Sequence, residues 1–388
     1  MSLTHNIKRK SVIKRQQGSS KVIFIAIAVL AIGFGIFVQG WHSDSPDSNP
    51  PTLETTFILP APKAIKEVNF SSYTGQEFST EQLKGQWSIL FFGFTNCPDV
   101  CPSTLRILKD VKEQVSQAGF WNGYQVIMVS VDPERDTPEK LANYVPFFDT
   151  EFIGITGDIA TTKAFAKNVG TLFIKQASEN SDEWYDVDHS ASLVLINPQG
   201  QWAGAITAPH NADQISRDLV AFAQYNGVEK NVLTNATTTG AAVVSSGDGE
   251  STLAVHLRQT QGTANQSSLM FKNAWVRPTP GHARSTAAYF QLINNSKQDI
   301  IIVDSQSPNF EMTMIHDTQV KDGLVSMNHL DELLVPAGGT VELKPLGLHM
   351  MLMQPSAALN LGDSVPITLI DDQGRRHQST MQVLEQAQ

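Results

Sequence analysis

Cysteine is nearly missing from this chain: 388 residues hold two, Cys97 and Cys101. That count excludes a disulfide framework and leaves the pair, four positions apart, to act as one unit. Charge is also sparse, at 17% of residues, and the formal net charge is −10. No basic stripe exists beyond the extreme N-terminus, which argues against nucleic acid as a partner. A Pro-x-x-x-Thr/Ser-x-x-Cys peroxidase loop is absent, as are internal repeats and a His-rich C-terminal tail. The 41% hydrophobic content suits folded domains, and the length accommodates two with connecting segments.

What is present begins with an uneven N-terminus. Residues 1–21 carry Lys8, Arg9, Lys10, Lys14, Arg15 and Lys21 and no acid. Residues 22–40 follow without a charge, nineteen residues or roughly 28 Å as a helix. That length spans a bilayer, and the positive flank predicts a cytoplasmic N-terminus with the remainder outside. Val38-Gln39-Gly40-Trp41 is a poor signal-peptide cleavage site, so an uncleaved anchor is expected. The expected location is a bacterial inner membrane, crossed once, with the bulk of the chain in the periplasm.

Residues 41–62, rich in Ser, Asp and Pro, read as a stalk. From 63 to 228, apolar runs of strand length (88–94, 125–131) alternate with helical patterns, and a hairpin and a helix close the segment. This predicts an α/β domain of thioredoxin-like form. Residues 229–268, mostly Thr, Gly, Ser and Ala around NATTTGAAVVSSGDGES, read as a flexible linker. In 269–388 helical periodicity gives way to short β-type runs, which predict a small all-β sandwich of cupredoxin-like form.

Two sets of residues carry chemistry. In Phe94-Thr95-Asn96-Cys97-Pro98-Asp99-Val100-Cys101-Pro102 the thiols sit between a buried strand and a helix start. A helix N-terminus lowers a thiol pKa, and two soft thiolates suit Cu(I). A structural disulfide and a redox pair are the other readings of the same residues. The run FGFTNCPDVCPSTL, with VSVDPERDTPEKL at 129–141 and Val187-Asp188-His189-Ser190, resembles the Sco (SenC) family of copper chaperones and thiol reductants of cytochrome oxidase assembly. The resemblance implies one copper, Cu(I) or Cu(II), held by Cys97, Cys101 and His189. It also implies thiol–disulfide reductase activity of Cys97 and Cys101 as an alternative role. Asp132, Arg135 and Asp136 form a charged turn, read either as a helix-start ion pair or as a support of the metal loop.

The second set is Met312, Met314 and His316 on one run and His349, Met351 and Met353 on another, each alternating at period two. Such residues share a strand face. Neutral thioether and imidazole favour Cu(I), and an ordinary Met-rich core is the competing reading. Ten residues separate His316 from Met327, twenty-one separate Met327 from His349, and one separates His349 from Met351. With AWVRPTPG at 274–281, VPAGGTVELKP at 335–345 and GDSVPITL at 362–369, this resembles the periplasmic copper chaperone (PCuAC) family. The resemblance implies a Cu(I) site of His316, Met327, His349 and Met351. His282, His329 and His377 are expected at the surface without a role, and His210 beside a helix.

Together the resemblances imply a membrane-anchored metallochaperone rather than a conventional enzyme. It would deliver copper to the CuA-containing subunit of cytochrome c oxidase, with transfer between its own two domains.

Overall fold

The structure, a computed structural model, describes residues 51–176, 185, 187–226, 268–280, 283–321 and 323–385. The predicted anchor at 22–40, nearly all of the predicted linker at 229–268, and His282 lie outside the described residues. Among the described residues no helix is long and apolar enough to cross a membrane.

The first domain runs β1 (Thr56–Ala64), β2 (Asn69–Ser72), β3 (Glu77–Ser79), β4 (Trp87–Gly93), α1 (Val100–Gln117), β5 (Tyr124–Ser130), α2 (Pro138–Phe148) and β6 (Ile153–Thr156). It continues with α3 (Ile159–Asn168), β7 (Phe173–Lys175), β8 (Val187–Ser190), β9 (Leu193–Ile196), β10 (Gln201–Ile206) and α4 (Ala212–Tyr225). Its eight-stranded sheet has the order β1-β10-β9-β4-β5-β6-β2-β3. The β4, β5 and β6 strands are parallel, and β9 runs antiparallel beside β4. Unbroken apolar runs form these central strands because both faces are covered, and every residue of β4 is buried. Leu105, Leu108, Val111 and Val115 of α1, spaced three or four apart, are all fully buried. Thr137 caps α2 through Lys140 N, and Pro138 occupies its first turn. The expected thioredoxin-like α/β layering is present.

The second domain contains only strands among its described residues. They are β11 (Leu269–Val276), β12 (Ser285–Asn294), β13 (Ile300–Gln306), β14 (Phe310–Lys321), β15 (Leu324–Leu330), β16 (Leu333–Val335), β17 (Thr340–Leu343), β18 (Leu348–Pro355), β19 (Ser364–Asp371) and β20 (Arg376–Val383). The residues Val276, Phe290, Ile302, Ile315, Met350, Leu352 and Leu369 belong to its core.

A self-contained small sandwich is not what forms. The hydrogen-bonded path β16-β13-β19-β20-β11-β12-β18-β14-β15 continues into β8 and β7 of the first domain, with β17 paired to β12 alongside. Val325 of β15 pairs with His189 of β8, and Leu324 with Ser190. His189, expected on a loop, therefore lies in a strand, and β7 and β8 leave the first sheet to complete the second. Unpaired N–H and C=O groups on exposed edges drive such joins. Residues 51–388 accordingly make one compact unit.

Candidate functional site

The thiols stand where β4 ends and α1 begins. Cys101 lies in the first turn of α1 and its N–H donates to Cys97 Sγ at 3.3 Å. Both thiols are free and buried. His189 Nε2 lies 3.8 Å from Cys101 Sγ, and the imidazole is packed edge-on between Phe91 and Phe94. Burial alone would raise the Cys97 thiol; hydrogen bonds from Cys101 and His189 override it and hold Cys97 well below the ordinary thiol range. Burial, reinforced by the neighbouring Cys97, pushes Cys101 well above that range. The pair is thus one thiolate beside one thiol that donates to it.

No group of three His, Cys, Asp or Glu side chains is drawn tightly around one point among the described residues. The thiols and His189 sit instead as hydrogen-bond neighbours. The Cys101–His189 separation alone matches that of two ligands on one ion. With bonds of about 2.3 Å to sulfur and about 2.0 Å to nitrogen, a trigonal ion holds those atoms about 3.7 Å apart. The observed S–N separation is 3.8 Å.

The charged turn supports this loop. Asp136 accepts from Thr95 N at 3.1 Å, Thr95 Oγ1 at 2.6 Å and Ser130 Oγ at 2.8 Å. Burial raises its carboxyl to about 6. Arg135 pairs with Asp132, stacks on Tyr185 at 3.6 Å, and donates to Tyr185 O. Of the two readings of the turn, Asp136 satisfies the loop-supporting one and Asp132–Arg135 the ion pair.

The Met/His residues lie across β15, β14 and β18. His316 of β14 is directly opposite His329 of β15 on one side and His349 of β18 on the other. Met314 faces Met351 and Met312 faces Met353, while Met327 faces Thr318. Sulfur thus flanks a row of imidazoles on both sides. This face is not the core of the second domain, which takes the alternate residues Ile315, Met350 and Leu352. His316 and His349 are 3% and 0% exposed, yet both ring nitrogens of His316 and Nε2 of His349 have no partner. Burial, with the neighbouring rings of His349 and His329, holds His316 down to about 3, so the ring is uncharged at neutral pH and one of its nitrogens carries a free lone pair. A buried polar atom left bare is costly, which marks these nitrogens as ligands in waiting.

The face turns toward the thiol loop, and Asp99 joins them. As the residue preceding α1, Asp99 would ordinarily cap its own helix, but its side chain makes no capping bond. Its carboxylate, fully buried, instead accepts from Tyr289 OH at 2.8 Å, Leu346 N at 2.8 Å and Thr318 Oγ1 at 3.3 Å, all in the second domain. Leu346 is held at φ +63°, where leucine rarely sits, as it aims that N–H. His349 Nδ1 lies 3.8 Å from the same carboxylate. Arg277 donates to Pro98 O at 3.2 Å, Asp99 O at 3.0 Å and Ser103 Oγ at 2.9 Å, and Ser285 Oγ donates to Asn96 O at 2.7 Å. Met327 packs against the first domain's core.

A cavity of about 90 Å³ remains at this junction, lined by His189, Pro209 and His210 on one side and Thr318, Val325 and Leu346 on the other. Burial lowers His210 to about 4. The Ala208–Pro209 peptide is cis.

The structure brings together the residues named from the sequence in two neighbouring clusters and adds His329 to the second; Asp99 and Arg277 had no signal in the sequence. His329 stands two residues beyond Met327, and period-two alternation was the available signal. His377, expected at the surface, is 3% exposed and bonded at 3.0 Å to the buried Asp371, whose carboxylate also accepts from Arg375 N in the exposed turn that follows.

The sequence profile of the SCO1/SenC family matches residues 60–224, and that of the LpqE-like family matches 269–383. A Stutzerimonas stutzeri protein whose name describes copper binding is 38% identical over 162 residues, 42% of this chain and 78% of that protein. The human mitochondrial SCO1 homolog is 33% identical over 134 residues, 34% of this chain and 44% of its own length, so the chain spans less than half of that relative. The crystal structure of Arabidopsis thaliana ScoI with copper bound is 31% identical, covers 41% of this chain and 98% of the solved one, and has a TM-score of 0.39.

Proposed function

Because the chain belongs to the SCO1/SenC family, we propose that it is a membrane-anchored copper carrier with two cargo sites in one body. Cys97, Cys101 and His189 form one site; His316, Met327, His349 and Met351 form the other, which takes Cu(I). The periplasmic side of a bacterial inner membrane is its workplace, and the CuA-containing subunit of cytochrome c oxidase is the recipient. Copper passes between the two sites within the chain before it is delivered.

The observation that carries this reading is the placement of Asp99. It lies between the two thiols in sequence, and its carboxylate stands 3.8 Å from His349 of the other donor set. The two sets therefore meet across one buried interface. Thioether and neutral imidazole hold Cu(I) without a thiol that an oxidising space would consume, and a thiolate pair offers the stronger soft donors. That ordering favours movement from the Met/His set to the thiols.

The test is a Cu(I) titration of the reduced portion from residue 42 onward against a competing chelator. Cys97→Ser/Cys101→Ser and His316→Ala/Met351→Ala variants run beside it. Two equivalents for the parent and one for each variant support the reading. One equivalent that survives loss of the cysteines removes copper from the first domain. The low pKa of Cys97 favours the second reading in that event: reduction of a disulfide in the recipient by the Cys97–Cys101 dithiol.

A further inference from the structure

His329 is the residue that neither family pattern uses. It completes a row of three imidazoles across adjacent strands, His329 opposite His316 and His316 opposite His349. Ring centroids are 5.5 Å apart in the first pair and 5.9 Å in the second. A metal bonded to an imidazole nitrogen at about 2.0 Å lies about 3.2 Å from the ring centre, so two rings on one ion have centroids about 5–6 Å apart. Each adjacent pair is at that separation. The outer rings stand two strand spacings apart, about 10 Å, which no single ion bridges. The row is therefore two overlapping two-imidazole sites that share His316.

The row also has a direction. The side chain of His329 is 47% exposed, whereas His316 and His349 are 3% and 0% exposed. Both nitrogens of His316 lack a partner, so whichever one carries the lone pair is open to a metal and the other keeps its proton throughout. Nδ1 of His349 is engaged with Gly347 O at 3.0 Å, which leaves Nε2 without a partner. His329 is tied only by a 3.5 Å approach to the exposed Asp331.

We propose that His329 is the loading ligand of the Met/His site. Cu(I) is first held between His329 and His316, then moves inward as its bond to His329 breaks and one to His349 forms. No electron is transferred, and His316 stays bound throughout. Copper thus reaches the buried site while the domains remain docked. The inference rests on the Met/His set being a Cu(I) site.

The experiment uses the full chain in detergent, with Cys97→Ser/Cys101→Ser so that one site reports. Cu(I) is supplied as its bicinchoninate complex and loss of colour is followed by stopped flow. Relative to the parent, His329→Ala and His329→Gln reach the same final occupancy but load about tenfold more slowly or worse, as a barrier raised by one lost ligand contact requires. Ag(I), as an NMR probe at substoichiometric amounts, shifts the ring signals of His329 and His316 together in the parent. Equal loading rates with equal final occupancy overturn the inference and leave the site intact. Failure of the parent itself to take up Cu(I) overturns the Met/His site, and the inference with it.

Discussion

Removing the Asp99 carboxylate tests whether the domains are held together as described. In Asp99→Ala, Tyr289 OH and Leu346 N each lose a 2.8 Å bond, Thr318 loses one of 3.3 Å, and Arg277 loses the charge 3.5 Å away. Breaking a buried charged pair by deleting one partner costs about 3–5 kcal/mol. The groups left behind regain water only if the interface opens, so the cost falls on docking rather than on either core. The opening constant should rise about 10²–10⁴-fold, or until the open form predominates. Native-state hydrogen exchange at the β8–β15 seam reads this directly, for instance at Ala191 N–H, which donates to Gly323 O at 2.9 Å. Tyr289→Phe, made on the opposite side, removes one of the same bonds and should speed exchange by about 10–100-fold. Exchange at the seam equal to wild type in Asp99→Ala, with α1 and β4 still protected, would refute the assignment of Asp99 as the latch.

Two further outcomes follow from the thiol loop. A Cβ on Gly93 would lie 2.5 Å from Phe91 Cζ and 3.0 Å from Cys101 Sγ; Gly93→Ala should cost about 1–3 kcal/mol in thermal unfolding and reduce Cu(I) uptake to the Met/His equivalent. Asp136 has its pKa raised from 3.8 to about 6, so the folded state binds the proton more tightly and stability falls as pH rises between those values. Between pH 4 and 7, urea unfolding should show wild type losing about 2 kcal/mol relative to Asp136→Asn; parallel curves would contradict it. His210, whose depressed pKa acts in the opposite direction, is common to both proteins and cancels.

Local pattern made much of this legible. Buried parallel strands, the α1 stripe and the period-two alternation of 312, 314 and 316 all follow from side chains meeting their nearest environment. The two clusters could be read because thiol, thioether and imidazole at fixed spacing have few other uses together. What escaped was set by the partner surface. Asp99 looks like a helix cap, and nothing in CPDVC says that its carboxylate reaches Tyr289, Leu346 and Thr318 of the second domain. Likewise, VDHS reads as a loop, since one of its two ladder partners, β15, lies more than a hundred residues downstream. His329 and His377 both read as surface residues, and only the register and the Asp371 contact separate a half-exposed imidazole beside His316 from a buried structural one.

The continuous sheet has a bearing on who else can reach the thiols. β8 carries His189, and its two edges are taken by β7 and β15. A strand edge accepts one neighbour at a time. Any recipient that approached His189 by adding its own strand to β8 would have to evict β15 first, so the chain's own second domain and an outside strand compete for one seat. Delivery by that route is then a contest of affinities, in which the chain defends its thiols from every strand that binds β8 less well than Leu324 and Val325 do.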